Sequence, residues 1–332
     1  MSEGVSRSAL YALYALIVAI WSSTWVAIKI GLEDCPPLLG AGLRFTLAGV
    51  LLIGFALLSR RPLRTDRVLV ALLAVFPFAI AYGLVYWGEQ YIPSGLTAVL
   101  FGVMPLYTAL MGAVLLHDEP LRARLLLGVA IALGGLMLAF AESLDLGEED
   151  LAWAGALAVV LAPLGAAVGN IATKRRDRGR LDAIVVNGWG MLAGGLLLLA
   201  GSGVSESWSE AAWSADAVGS ITYLAIVGSA VPFVVLMVLL RHLRAQTLSF
   251  VAMLIPFGAL VLGALIESEP ITAEALGGAA LVAAGLLVAQ AQRRAEDPSG
   301  VAPAAARADD GPRPAPAQLG PHGPAQGARA RP

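Results

Sequence analysis

Ser94-Gly95-Leu96-Thr97-Ala98-Val99-Leu100-Phe101-Gly102-Val103-Met104-Pro105 is followed by Asp118-Glu119-Pro120, then by an apolar segment containing Gly128 and Gly134-Gly135. The same passage returns as Thr247-Leu248-Ser249-Phe250-Val251-Ala252-Met253-Leu254-Ile255-Pro256, then Ser268-Glu269-Pro270, then an apolar segment with Gly277-Gly278 and Gly285. The prolines lie 151 positions apart and the glutamates 150, so one residue has slipped between them. Leu47-Ala48-Gly49 and Leu192-Ala193-Gly194, 145 apart, carry the duplication upstream. Each copy holds five hydrophobic segments. Five is odd, so the second copy enters a membrane upside down relative to the first. Inverted repeats with matched, proline-interrupted helices are an architecture of alternating-access transport.

Composition points to the same solvent. The chain has 332 residues, of which 58% are hydrophobic and only 14% charged, and its mean hydropathy is +0.77. Soluble domains are near a quarter charged, so these charges are too few to cover a globule of this size. A formal net charge of −2 argues against a nucleic-acid partner. The single cysteine, Cys35, excludes an internal disulfide and a cysteine-based metal site. Neither a metal nor a cofactor is expected.

Ten stretches approach the roughly 20 apolar residues that cross a hydrocarbon core: about 9–30, 36–58, 67–88, 94–116, 122–141, 151–173, 181–201, 217–240, 247–267 and 273–291. The fold class expected is all-α and membrane-integral, with ten helices in two inverted five-helix repeats. Residues 1–8 form a short terminus, 9–141 the first repeat, 151–291 the second, and 292–332 a tail rich in Pro, Ala, Gly and Arg. That tail has too little apolar surface to offset its ordering entropy and is expected to be disordered. The first stretch has no small-residue cleavage site before Lys29, so it reads as a span rather than a signal peptide.

Basic residues sort the loops. Arg7, Arg60, Arg61, Arg64, Arg67, Arg122, Arg124, Lys174, Arg175, Arg176, Arg178, Arg180, Arg241, Arg244, Arg293 and Arg294 fall at alternate ends of the spans, whereas the opposite ends hold only Lys29. The positive-inside rule makes the first set cytoplasmic and puts both termini inside a cell inner (cytoplasmic) membrane.

The residues then resemble a known family. Trp21-Ser22-Ser23-Thr24-Trp25, Pro36-Pro37 with Arg44-Phe45, and Pro105 with Glu119 and Gly128/Gly135 are similar to the drug/metabolite transporter superfamily, specifically its EamA-type ten-helix permeases. Pro256, Glu269 and Gly278/Gly285 repeat the match. The resemblance covers about 9–291 and implies a helix bundle around a central cavity that carries small metabolites, amino acids among them, often outward. Asp118, Ser268 and Trp189 depart from the usual pattern.

Candidate cavity residues follow from depth and chemistry. Arg44 lies about eight residues, roughly 12 Å, inside span two. It reads as a carboxylate anchor or gate, or as a structural arginine that snorkels or pairs with Glu89. Trp21, Ser22, Thr24 and Trp25 suit either a cavity wall or helix packing. Tyr82 is the deepest of Tyr82, Tyr86 and Trp87, which otherwise read as an outer aromatic belt. Asn170, Asn187 and Trp189 are polar or aromatic residues within later spans, and the last two suit an inner gate or packing. Glu89 reads as a proton-coupling carboxylate or an external loop acid. Pro105 and Pro256 are expected to break spans four and nine beside the cargo site, or to shape the bundle only.

The remaining partners expected are a small-molecule cargo and the lipid bilayer, with the chain a monomer or homodimer. A membrane enzyme would need convergent catalytic groups, which the three histidines at 117, 242 and 322 do not supply. No phosphate-binding glycine loop is present to drive transport with ATP. The sequence therefore implies a secondary transporter, exporting amino acids or related metabolites; movement of nucleosides or drugs, in either direction, is the alternative.

Overall fold

The computed structural model describes residues 6–115, 123–139, 141, 151–177, 179–266 and 272–296. Among them every regular element is a helix, the form in which each backbone group is satisfied within its own segment. We label these α1 (Arg7–Asp34), α2 (Pro37–Leu58), α3 (Arg67–Glu89), α4 (Ser94–Leu115), α5 (Ala123–Ala139), α6 (Ala152–Arg176), α7 (Ala183–Ser205), α8 (Ala215–His242), α9 (Ala245–Ser249 with Val251–Ile266) and α10 (Ala273–Glu296). Seven of them, α1 to α4 and α6 to α8, are long and apolar enough to cross a membrane, while α5, α9 and α10 contain shorter apolar helices. Large apolar side chains such as Val204, Leu58 and Val114 stand outward on the bundle. Asp118, Glu119, Pro120, Ser268, Glu269, Pro270, His117, the acidic 142–150 segment and the tail from 297 lie outside the described residues.

Helix starts are capped by the residues the sequence supplies. Ser6, Asp66, Asp182 and Ser214 each accept a hydrogen bond from a backbone N–H in the first turn that follows, closing donors that have no partner inside the helix. The start of α2 has a proline in place of a capping side chain. Glu206, just past α7, serves it from outside by accepting from the N–H groups of Leu38 (2.7 Å) and Leu39 (2.9 Å).

The proline breaks differ from the expectation in one respect. Helix α4 divides at Gly102–Val103, and Pro105 is the second residue of the new piece, Met104–Leu115. A first-turn proline has no helical bond to lose, so Pro105 starts a helix rather than kinking one in its middle. Pro256 does sit inside Val251–Ile266, although α9 interrupts earlier, at Phe250. Two deformations were not expected: α3 widens into a π-helix over Ala74–Ala81 around Pro77, and α8 does so over Ile226–Ala230 ahead of Pro232.

Packing couples the first five helices to the second five. Helix α2 lies along α7 and α5 along α10, while α3 meets α6 and α1 meets both α8 and α9. In the α5–α10 seam a Cβ on Gly128 would stand 2.5 Å from the Gly285 carbonyl oxygen, and one on Gly285 equally close to that of Gly128. Gly135 and Gly278 face each other one turn-pair further on, so the two backbones touch directly, as small residues permit.

The two ends of the bundle differ in chemistry. At one end the loops expected to be basic meet. Arg61 pairs with Asp182 at 2.7 Å, Arg176 with Asp66 at 2.8 Å and Arg241 with Asp177 at 2.7 Å. The first two pairs are reciprocal: each loop gives an arginine to the aspartate that caps the other loop's helix. The Arg176 hydrogen bond holds the Asp66 carboxyl below the usual carboxylate range. At Asp182 burial pushes upward, but the Arg61 bond and the N–H groups of Val185 and Ile184 outweigh it and leave that carboxyl low as well. At the other end Ser214 donates to Asp34, and Lys29 caps the carbonyls of Glu89, Gln90 and Ile92.

Two outcomes follow. Gly128→Leu forces the α5–α10 seam apart and lowers stability by about 1–3 kcal/mol or more, whereas Gly134→Leu, with open space around its Cβ, leaves it unchanged; melting of the purified protein separates the two. Because Asp66 and Asp182 are depressed, their contribution is full above the ordinary aspartate value near pH 4 and disappears as pH falls through the lower folded values. The melting temperature therefore drops with acidification below about pH 4, and Asp66→Asn/Asp182→Asn flattens that drop.

Candidate functional site

A cavity opens between α1, α3, α4, α6, α7, α8 and α9. Two helices present it with the same stripe. Trp21, Thr24, Trp25 and Ile28 line it from α1, and Ala166, Gly169, Asn170 and Thr173 line it from α6. Both sets run i, i+3, i+4, i+7, which is one face of a helix. The second stands 145 positions after the first, the offset already seen at Leu47-Ala48-Gly49. Large side chains thus come from one wall and small or polar ones from the other.

Aromatic rings fill the middle. Phe233 of α8 packs edge-on to Trp21 (5.5 Å between centroids), Phe78 (5.0 Å) and Tyr82 (6.2 Å), and Trp25 tilts against Phe101 at 5.4 Å. Such arrangements set electron-rich faces against ring edges. Phe78 follows Pro77 within one π segment and Phe233 follows Pro232 just after the other, and both rings line the cavity. Sequence reasoning missed Phe78, Phe101, Thr173 and Phe233; the repeated dipeptides Pro77-Phe78 and Pro232-Phe233 were a usable signal for two of them.

Three polar side chains mark one region of the wall. Asn187 lines the cavity and donates from Nδ2 to the carbonyls of Ala183 (2.9 Å) and Phe233 (3.2 Å), while its oxygen accepts from no described residue. Asn170 is 7% exposed and Thr173 5%, yet neither side chain bonds to a described residue; both line the cavity. All three lie within two turns of the helix ends Arg176 and Ala183, toward the arginine-rich end. Trp25 Nε1, also buried, has no hydrogen-bond partner either. The described residues that line the cavity include no Asp, Glu, Lys, Arg or His.

Of the residues expected here, Trp21, Thr24, Trp25, Tyr82, Asn170 and Asn187 line the cavity, and Ser22, Arg44 and Trp189 do not. Ser22 is turned into the α1–α9 contact, donating to Val18 (2.7 Å) and Ile255 (3.0 Å) carbonyls. Trp189 donates to the Leu63 carbonyl and borders a separate recess with Arg64, Thr65 and Arg67.

Arg44 is fully buried behind the wall. Its guanidinium carbon lies 4.8 Å from the Tyr82 ring centre and 5.0 Å from that of Phe45. Nε donates to Ser229 Oγ at 2.8 Å and Nη2 to the Gly228 carbonyl at 3.2 Å, with a longer bond to Tyr86. No ion pair to Glu89 forms. The reason for this placement is Pro232, four residues after Gly228, which has no N–H to give the Gly228 carbonyl. Arg44 and the Trp21 indole (3.2 Å) supply the missing donors. Tyr86 is 3% exposed and belongs to this buried set, not to an interfacial belt.

Glu89 also departs from the expectation of a loop acid. It is the last residue of α3, fully buried, and neither carboxylate oxygen has a hydrogen-bond partner. It stands one turn beyond Val85 and two beyond Tyr82, both of which line the cavity.

Comparison with known proteins adds a second kind of observation. The model of the EamA-like transporter family matches residues 9–141 and again 153–290. The uncharacterized transporter YoaV of Bacillus subtilis is 29% identical over 82% of this chain and 93% of its own length. The uncharacterized inner membrane transporter YedA of Escherichia coli K12 is 30% identical, covering 79% and 83%. A probable amino-acid metabolite efflux pump of Salmonella typhimurium is 28% identical, covering 83% and 93%. A solved crystal structure shares the fold with a TM-score of 0.71 at 20% identity, over 88% of this chain and all of its own.

Removing Arg44 tests its structural account. Arg44→Ala leaves Ser229 without its donor and Gly228 with one donor instead of two. The expected loss is about 1.5–3 kcal/mol for each charged hydrogen bond removed, read as a lower melting temperature in detergent. Arg44→Lys recovers only part of it, because one ammonium cannot reproduce the planar fork.

Proposed function

The chain belongs to the EamA-like transporter family, and on that premise we propose that it is a secondary transporter, working by alternating access, that exports amino acids or related small metabolites. It is a membrane transporter by family. The cargo and direction are our reading. The single observation that carries it is the central cavity, walled by helices from both family-matched stretches and lined by matching stripes of α1 and α6. Substrate sites at the interface of two repeats are a general property of such transporters. The relative named as a probable amino-acid metabolite efflux pump supports the cargo class.

The ten helical elements read as ten spans in two inverted repeats, 9–141 and 151–291. Three features support this: the α2–α7 and α5–α10 seams, the paired π segments with their Pro-Phe dipeptides, and the double family match. The arginine-rich end is then cytoplasmic, with both termini. There Lys174 donates to the Leu240 and Leu243 carbonyls and Asp177 holds Arg241, tying α6 to α8 beneath the polar part of the cavity as an inner gate. Glu89, beyond the cavity at the other end, is the carboxylate placed to couple protons, with Lys29 and Arg44 as its charged neighbours.

The test compares metabolites outside cells that express the wild type or the cavity variant Phe233→Ala after loading with mixed dipeptides. Export of amino acids or their derivatives raises them outside wild-type cells several-fold over the variant at matched protein level. Equal levels would overturn the reading. Glu89→Gln should abolish the dependence of that export on external pH.

A further inference from the structure

We infer that the cavity selects cargo whose polar group is an uncharged hydrogen-bonding group, such as an amide or alcohol on an apolar or aromatic body, and that Asn170 is the residue that reads it. The inference rests on the cavity being the cargo site; within the proposed class it selects the related metabolites that are uncharged at the bound group, such as amino-acid amides and alcohols, over free zwitterionic amino acids.

The argument begins with Asn170. A carboxamide offers two donors and an oxygen that accepts, and a buried one in a native protein is ordinarily satisfied. This one is 7% exposed, bonds to no described residue, and lines the cavity. The Thr173 hydroxyl, one turn along on the same face of α6, is in the same condition. Asn187 of α7 lines the same cavity with its nitrogen held by two carbonyls and its oxygen accepting from no described residue. Together these groups offer donors and acceptors at once, the complement of an amide or hydroxyl.

Charge would find no such complement. Among the described lining residues, a cargo ammonium or carboxylate sealed here would face carboxamides, the hydroxyls of Thr24, Thr173 and Tyr82, aromatic rings and apolar side chains. Buried charges need a partner of opposite sign or full hydrogen bonding. The guanidinium of Arg44 lies against Tyr82, and its hydrogen bonds go to Ser229, Gly228 and Tyr86. It is held away from the cavity surface and disfavours a cation nearby. The six rings supply apolar contact for the rest of the molecule.

A set of probes with one ring and different charge tests this: N-acetyl-L-tryptophanamide (neutral), L-tryptophan (zwitterion), tryptamine (cation) and indole-3-acetate (anion). Binding to the purified full chain is measured by calorimetry, with each variant checked for an unchanged melting temperature. The neutral amide should bind at least about tenfold tighter than the other three. Asn170→Ala should weaken it about tenfold, as expected when one buried hydrogen bond is lost, and Asn170→Ser less. Asn170→Asp should raise tryptamine above the neutral amide. Zwitterion or ion binding as tightly as the amide, or amide binding that ignores Asn170, overturns the inference while the cavity remains a cargo site. If no probe binds, both the inference and the cavity as cargo site fall.

Discussion

In hydrocarbon no water waits to satisfy a stranded carbonyl, and the Gly228 carbonyl is stranded by Pro232. The answer comes from two other helices: the Trp21 indole from α1 and the Arg44 guanidinium from α2. One missing N–H thereby fixes three helices against one another. It also sets the cavity wall, because Trp21 faces the cavity on its other side and Arg44 lies against Tyr82. The residue after that proline, Phe233, is the centre of the aromatic packing. Wall, charge and helix deformation are one structure rather than three.

That linkage changes how the buried charge is understood. Arg44 had the chemistry of an anion anchor, yet its donors are engaged by Ser229, Gly228 and Tyr86. A guanidinium so engaged stiffens α8 near the π segment. The polar groups left open to the cavity are instead the neutral ones, Asn170, Thr173 and Asn187. Charge in this protein is concentrated at the bundle ends, where Arg61, Arg176 and Arg241 pair with Asp182, Asp66 and Asp177.

Much of this was legible in the sequence. Hydrophobic runs located the helices to within a few residues, because length and apolarity are what a bilayer demands. The basic residues predicted which loops would meet: those around Arg61, Arg176 and Arg241 do. The tryptophans of α1 and the asparagines of α6 and α7 were found because polar or bulky residues stand out in an apolar helix. Arg44 was left open between an anchor and a structural residue because depth along a helix says nothing of which way a side chain turns. The pairing of Pro77-Phe78 with Pro232-Phe233 is hidden because α8 carries 17 residues before its proline and α3 only 10 before Pro77, so a fixed offset skips the match. Phe78 and Phe233 are unremarkable in an apolar run until the backbone widening beside them is known. Glu89 was left open between a coupling carboxylate and a loop acid because it ends its helix, and helix ends usually face water.

The α5–α10 seam has a consequence in time. Gly135 and Gly278 touch in the finished protein, but 143 residues separate them in the chain. At a synthesis rate of about 5–20 residues per second, roughly 7–30 s elapse between making one and making the other. Through that interval the glycine face of α5 lacks its native partner. This contact of the first half with the second is therefore a late event in synthesis, completed only after the Gly278 stretch of α10 is made.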